Sequence, residues 1–291
     1  MKVLGRIVAA LVVAAALGAI ALSSDTVVYA LLRWTAAPPA LDFTARVLPA
    51  PERGYTLTFD GFPPSPLCDV WINARKQNHL LREPGSAHAG TYGIDAGRAI
   101  HTVGPDADFD GYNNVVLFCA LPQPKPGETL VVEMPMAITN LAGSTGFYVE
   151  RPVIDARGEI NPGGFQAVGL SIGGKDVGAR IGRGAHLHEV WGWSTIRGVA
   201  LATDDFSGAY RLELAVASTK EQTATLFRNG ERVGSLALDH PLAGDLELQV
   251  WLDNYKVPWT YFPFGFGNVD PPETLELPEI TVSIASAKPA E

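Results

Sequence analysis

The chain has 291 residues, 18% of them charged and 47% hydrophobic, a balance typical of a folded protein and not of a disordered one. The 22 Lys and Arg against 31 Asp and Glu give a net charge of −9, which excludes a nucleic-acid-binding surface built on basic residues. Thirty Gly and 22 Pro exclude a helical bundle, and two Cys exclude a disulfide-dense scaffold or a four-thiolate zinc site.

The amino terminus has the pattern of an export signal. Lys2 and Arg6 precede an apolar run over residues 7–22, the order found in secretory signals. Ala19-Ile20-Ala21 has the small residues that signal peptidase recognises, so cleavage after Ala21 is one outcome. Retention as a signal anchor is the other, because a second apolar stretch and the interfacial pair Arg33-Trp34 follow.

Both outcomes export the rest of the chain. Positive charge at Lys2 and Arg6 holds the start inside, so everything after residue 34 reaches the periplasmic or extracellular side. That side is oxidising in most cells, and we therefore expect Cys68 and Cys119 to form a disulfide. The alternative is two buried thiols that pack as small hydrophobic groups. Residues 1–34 are thus a signal peptide or membrane anchor with a short linker.

Residues 35–291 are predicted to form one β domain. Turn residues recur about every eight to twelve positions, the spacing of an all-β sandwich or barrel. Asn229-Gly230 between two β-rich runs predicts a tight hairpin. Over residues 246–253, Leu and Val alternate with Glu, Gln, Trp and Asp, which predicts a strand with one buried face. Residues 67–83 are the one helix candidate, although Val70-Trp71-Ile72 favours a strand.

The second half of the chain contains a series of β-rich motifs. They are, in order, Gly146-Phe147-Tyr148-Val149-Glu150-Arg151, the Gly-rich residues 164–174, residues 208–214, residues 224–233 and the closing strand 275–284. In this order they resemble the concanavalin A-like lectins and glucanases, which include laminarin-type domains and laminarinase-like glycoside hydrolases. The resemblance covers about half of the chain, over residues 146–285. It implies an antiparallel two-sheet jelly-roll sandwich whose concave sheet binds sugars; by itself a shared sandwich implies no activity.

The polar face of the strand at 246–253 is the predicted ligand surface. Trp251 lies there between Gln249 and Asp253. A flat aromatic ring covers the C–H face of a sugar while polar groups bond its hydroxyls, so we predict a glycan or another small extracellular ligand. The alternative is that Trp251 packs beneath the following loop. The predicted ligand-binding residues are Trp251, Asp253, Gln249, Tyr255, Trp259 and Tyr261.

The loop after that strand is unusually aromatic. Residues 255–266 contain six aromatic side chains, interleaved with Pro and Gly that prevent a continuous strand. Such a loop can line a sugar or lipid groove, enter the membrane interface, or cap the hydrophobic core. The membrane alternative corresponds to a non-catalytic structural or lipid-contacting envelope protein.

An enzyme is the main alternative function. Hydrolases of the resembled family have two catalytic carboxylates on one strand in a Glu-x-Asp-x-x-Glu-like order, and the sequence contains no such triplet. Acids from neighbouring strands can still meet, as Glu189 or Glu213 would with Glu247, which keeps a glycoside hydrolase or polysaccharide lyase open. Serine-hydrolase, nucleotide and thioredoxin motifs are absent from the sequence. The candidate catalytic residues are Glu150, Glu189, Glu213 and Glu247.

Two short motifs point to metals. Asp106-Ala107-Asp108-Phe109-Asp110-Gly111 matches the first half of a calcium loop, with Asp106, Asp108 and Asp110 as ligands, or else forms an acidic surface turn. His186 and His188 fall on the same side of a strand, as in transition-metal chelation. A third ligand would have to come from elsewhere, so solvent-side histidines are the alternative.

Overall fold

The computed structural model describes residues 51–74, 77–80, 85–87, 90–103, 112–141, 143–151, 166–173, 184–191, 194–201, 205–255 and 273–286. These residues form 18 β-strands, and Gly/Pro-containing turns separate many of them. The strands are β1 (Tyr55–Thr58), β2 (Cys68–Ala74), β3 (Gln77–Leu80), β4 (Gly85–Ala87), β5 (Gly90–Asp95), β6 (Arg98–Val103), β7 (Tyr112–Leu121), β8 (Glu128–Thr139), β9 (Ser144–Arg151), β10 (Gln166–Gly173), β11 (Gly184–Trp191), β12 (Ser194–Leu201), β13 (Gly208–Ser218), β14 (Glu221–Arg228), β15 (Glu231–Ala237), β16 (Leu246–Tyr255), β17 (Glu273–Leu277) and β18 (Glu279–Ser286).

The strands form two antiparallel sheets. The ten-stranded sheet has the order β15-β14-β13-β8-β17-β6-β5-β4, with β18 paired to β8 and β1 to β18. The eight-stranded sheet has the order β12-β11-β10-β9-β16-β7-β2-β3. Buried apolar side chains from both sheets meet in one core. The predicted all-β two-sheet sandwich is confirmed, and the helix candidate at 67–83 is wrong, because β2 and β3 pair there as a hairpin.

Side-chain alternation decides which face of each strand enters the core. In β16, Leu248 and Val250 are fully buried between the sheets. In β13, the alternate residues Tyr210, Leu212 and Leu214 do the same. The predicted hairpin joins β14 and β15. Its turn at Asn229-Gly230 has φ values of 52° and 84°, the left-handed conformation that Asn and Gly tolerate.

A disulfide links the strands β2 and β7 of the eight-stranded sheet. Cys68 and Cys119 are directly opposite in the register, and their sulfurs are bonded. Both residues are at most 2% exposed and belong to the core. The disulfide predicted from the compartment is therefore confirmed, and the alternative of two thiols is wrong.

The signal or anchor predicted at 1–34 and the predicted calcium ligands Asp106, Asp108 and Asp110 lie outside the described residues, so both remain predictions. In the part of the chain that the structure describes, no helix has the length and apolar character needed to cross a bilayer.

One histidine is enclosed in the core. His101 is fully buried on β6, and its ring centre lies 5.2 Å from that of Tyr92 on the neighbouring β5. Neither ring nitrogen of His101 has a hydrogen-bond partner. Burial lowers the pKa of His101 from 6.5 to about 3, because an imidazolium in the core would lose its hydration.

This lowered pKa makes the free energy of unfolding depend on pH. Below about pH 6.5 the unfolded chain takes up a proton at His101 that the folded chain does not bind, so stability falls with acidification until the pH nears the folded-state pKa. Each pH unit in this range costs about 1.4 kcal/mol. Between pH 7 and pH 4, the free energy of unfolding of the wild type should fall by about 3 kcal/mol more than that of the His101→Phe variant. Urea unfolding at each pH measures this difference. Parallel pH profiles for the two proteins would contradict this assignment.

Candidate functional site

The eight-stranded sheet has apolar rings on both of its faces. The face of this sheet that points away from the core is called the site face below. Because β16 directs Leu248 and Val250 into the core, it presents Glu247, Gln249 and Trp251 on the site face. A second hydrophobic cluster, separate from the core, forms there. It contains Trp71, Val116, Phe118 and Trp251, with Tyr148 packed against them.

Register places the residues of the site face in three rows across the strands. In an antiparallel sheet, directly opposite residues point to the same side and are close neighbours. The central row contains Tyr148. The three rows are Asp69–Phe118–Gln249–Tyr148–Gly169–His188, then Trp71–Val116–Trp251–Gly146–Ser171–His186, and on the other side Ala120–Glu247–Glu150–Ala167.

Glycines allow the rings to approach the neighbouring strands closely. Trp251 is directly opposite Gly146, and a Cβ built on Gly146 would lie 2.9 Å from Cη2 of the indole. Tyr148 is directly opposite Gly169, where a Cβ would lie 3.0 Å from Cδ1 of the phenol ring and would collide with the carbonyl oxygen of Phe147. Each ring therefore occupies the space that a side chain on the neighbouring strand would need.

Trp251 lies on the predicted face, but its indole is not open. The ring is 7% exposed, its centre lies 4.6 Å from that of Tyr148 at an interplanar angle of 38°, and its Nε1 donates a hydrogen bond of 3.3 Å to Oγ of Ser144. The expectation of an indole that faces the ligand directly is therefore wrong. Tyr148, which is half-buried, is the more exposed ring of this pair.

The other predicted ligand residues divide into two groups. Gln249 is half-buried on the site face and lies opposite both Tyr148 and Phe118. Asp253 and Tyr255 belong to β16, and their side chains lie outside the description, as do Trp259 and Tyr261 and the rest of the aromatic loop. Sequence reasoning missed Tyr148, although its alternation with Phe147 and Val149 was a signal for a second face.

Two of the four candidate acids meet on the site face. Glu150 of β9 and Glu247 of β16 are directly opposite in the register, and they are 5% and 6% exposed. Directly opposite residues have Cβ atoms about 4.5–5.5 Å apart. Retaining glycoside hydrolysis requires two carboxyl groups about 5–5.5 Å apart, and the register makes these two side chains direct neighbours on one face.

The other two candidate acids have structural roles. Glu189 is directly opposite Val168, on the core side of β11, and its carboxylate accepts hydrogen bonds from the backbone N–H groups of Asp239 (3.0 Å) and His240 (2.7 Å). Glu213 lies on the outer side of the ten-stranded sheet and pairs with Arg211 at 3.0 Å. The expectation that either acid approaches Glu247 is wrong, because neither shares its face.

His186 and His188 lie on the same side of β11, as predicted. Their rings stack with centres 5.0 Å apart and an interplanar angle of 22°. The pKa of His188 is lowered to about 4, first by burial and second by repulsion from His186. Among the described residues, no group of three or more His, Cys, Asp or Glu is placed to hold a metal ion. The described residues therefore do not complete a transition-metal site around this pair.

No protein-family model matches the chain, and a search of curated protein sequences finds no match. Solved structures do match. A sialidase is 13% identical over 83% of this chain with a TM-score of 0.46, and this chain spans 20% of its length. The β-glucanase of Bacillus licheniformis is 9% identical, covering 79% of this chain and 97% of the glucanase, with a TM-score of 0.46.

A lectin from Bauhinia forficata, solved in complex with GalNAc, also matches. It is 10% identical, covering 81% of this chain and all of the lectin, with a TM-score of 0.45. The TM-scores of these matches are all below 0.5. The strand order itself shows a sandwich of two antiparallel sheets, and its assignment to the concanavalin A-like lectins and glucanases remains a prediction.

The close approach of Tyr148 to Gly169 gives a test of the site's geometry. Gly169→Ala places a methyl group against the Phe147 carbonyl and the Tyr148 ring, so we expect a loss of about 1–3 kcal/mol in the free energy of unfolding and a displaced Tyr148. Urea unfolding and near-ultraviolet circular dichroism measure the two effects. Gly93→Ala is the matched control, because a Cβ there meets no atom within 4 Å. Equal stability of the two variants would contradict the packing described.

Proposed function

We propose that the protein is an exported cell-envelope carbohydrate-binding sandwich, with its ligand on the site face over Tyr148. The observation that supports this most is the central row, in which the half-buried ring of Tyr148 lies beside the half-buried amide of Gln249. A sugar requires this combination, because its C–H face packs on an aromatic ring while its hydroxyls need hydrogen-bonding groups beside that ring.

The packing of Tyr148 supports the same function. The ring leans against Trp251 on one side and covers Gly169 on the other, so its orientation is fixed before a ligand arrives. A fixed ring loses little conformational entropy on binding. Asp69, also half-buried, lies farther along the same row and adds a carboxylate that can accept hydrogen bonds from hydroxyls.

Charge on the site face favours neutral glycans. Asp69, Glu150 and Glu247 give it three carboxyl groups, and no Lys or Arg is among the described side chains that point from it. Carboxylates repel uronic acids and sulfated sugars. Export is supported by the Cys68–Cys119 disulfide together with the predicted signal segment.

Removal of the Tyr148 ring tests this function. We expect Tyr148→Ala to weaken binding of neutral polysaccharides at least tenfold, whereas Tyr148→Phe keeps the ring and most of the affinity. Tryptophan fluorescence and calorimetric titration against neutral and uronic-acid polysaccharides provide the measurement, since Trp251 is in contact with Tyr148. Phe227→Ala, which removes a ring from the outer side of the ten-stranded sheet, is the control. The proposal fails if no glycan binds or if Tyr148→Ala binds as the wild type does.

A glycoside hydrolase is the second candidate, and the opposed pair Glu150 and Glu247 favours it. One carboxyl group would protonate the leaving oxygen while the other attacks the sugar or activates water. Glu150→Gln and Glu247→Gln should each lower the release of reducing ends from a cleaved polysaccharide at least a hundredfold. Glu213→Gln should leave the rate unchanged, because Glu213 lies on the other sheet. Full activity in both site variants, or no cleavage by the wild type, excludes this candidate.

A further inference from the structure

We propose that the Cys68–Cys119 disulfide positions one end of the glycan site over Tyr148. By holding Asp69 in place on the site face, it gives the site its full affinity for an oligosaccharide only after the bond has formed. The inference rests on the proposed function, because Asp69 contacts the saccharide in that proposal. Cys68 precedes Asp69 on β2, and Cys119 follows Phe118 on β7. Since Asp69 and Phe118 are directly opposite in the register, the disulfide joins the two strands beside the pair that begins the central row.

Strand β2 is supported mainly from one side where Asp69 lies. Its residues Cys68–Ile72 pair with Val115–Cys119 of β7. On the other side, the described pairing with β3 starts at Trp71 and continues away from Asp69. In the part of the chain that the structure describes, this end of β2 is therefore held by its ladder with β7 and by the disulfide.

The apolar pattern alone does not fix the register of β2 against β7. The opposed core-facing residues of the two strands are apolar and at most 2% exposed: Cys68, Val70, Leu117 and Cys119. A shift of two residues would keep the same faces buried, because side chains alternate with a period of two. It would nevertheless move Asp69 about 7 Å along β7, out of the central row.

The disulfide excludes this shift. The Cα atoms of Cys68 and Cys119 are 4.1 Å apart. A two-residue shift would separate them by about 8 Å, whereas a disulfide spans at most about 7 Å between Cα atoms. The register that is compatible with the bond is the one that places Asp69 in the central row.

The bond acts on only one end of the site. Along the central row, Asp69 lies two strands from Gln249 and three strands from Tyr148. Neighbouring strands are about 4.8 Å apart, which places Asp69 about 14 Å from Tyr148. A single sugar packed on Tyr148 does not reach Asp69, whereas an oligosaccharide that lies across the strands does. All three residues are half-buried, so such a ligand finds part of each side chain accessible.

Formation of the bond requires an oxidising compartment. The thiols of Cys68 and Cys119 lose two protons and two electrons to a disulfide-containing oxidant, which becomes a dithiol. Such oxidants act on exported chains, whereas the cytosol keeps thiols reduced. In the folded protein both residues are at most 2% exposed, so a reductant reaches them only when the sheet opens. The disulfide is thus a lasting step of assembly, and the site is completed after export.

Calorimetric titration of the full-length chain, with and without the bond, tests this inference. The probes are short neutral oligosaccharides of glucose, mannose, galactose and xylose, together with those single sugars. In Cys68→Ala/Cys119→Val, a pair chosen to keep the core filled, the best oligosaccharide should bind about tenfold more weakly and single sugars should bind as before. Val70→Ala is the matched control. It removes core packing from β2 but leaves the disulfide, and it should change neither affinity.

A double-mutant cycle assigns the effect to Asp69. Asp69→Ala should by itself weaken oligosaccharide binding about tenfold. In that background the cysteine substitutions should add little, because both changes remove the same contact. Full additivity of the two losses overturns the inference, since the disulfide would then act through other residues.

Each remaining outcome overturns the inference alone or the proposed function with it. Unchanged oligosaccharide binding in the cysteine variant, together with loss of binding in Tyr148→Ala, overturns the inference and leaves the proposed function intact. Equal weakening of single-sugar and oligosaccharide binding also overturns it, because the bond then acts on the whole site. A cysteine variant that is unfolded by circular dichroism overturns it as well, since the bond then serves the whole domain. A wild-type chain that binds no saccharide overturns both proposals.

Discussion

The burial of one face of each sheet against the other is the constraint on which the site depends. Side chains alternate along a strand. Because Leu248 and Val250 point into the core, Gln249 and Trp251 must point to the site face. A one-residue slip of β16 against β9 would exchange these sets and separate Glu247 from Glu150. The hydrophobic effect between the sheets thus determines which polar groups meet outside them.

The site face has the packing of a second small core. Strands β9 and β10 are buried on both sides, and a row of rings lies where most two-layer sandwiches expose polar residues to water. Close packing on this side is possible because Gly146 and Gly169 let Trp251 and Tyr148 approach the backbone. The same packing orients Tyr148, and the rings that stabilise the sheet therefore also form the floor of the candidate site.

Sequence reasoning reached the features that depend on local pattern or on compartment. The alternation in β16, the Asn229-Gly230 turn and the Cys68–Cys119 disulfide are of this kind. The pairing of Glu150 with Glu247 was not predicted. The cross-strand register pairs these residues although they are 97 positions apart, and no local pattern in a single sequence reveals such a pair. The burial of Trp251 was misjudged for a related reason: exposure depends on neighbours such as Tyr148, which belong to another strand.

Exposure explains why binding is proposed ahead of hydrolysis. Hydrolysis requires the oxygens of both Glu150 and Glu247 to reach the glycosidic bond, and these residues retain only 5% and 6% of their exposure. Binding requires a ring face and adjacent polar groups, and Tyr148 and Gln249 are both half-buried and partly accessible. The demands differ in how much of the site face must be open to the ligand. The exposure of Tyr148 and Gln249 is sufficient for binding. Catalysis would require the carboxyl groups of Glu150 and Glu247 to become more accessible when substrate binds.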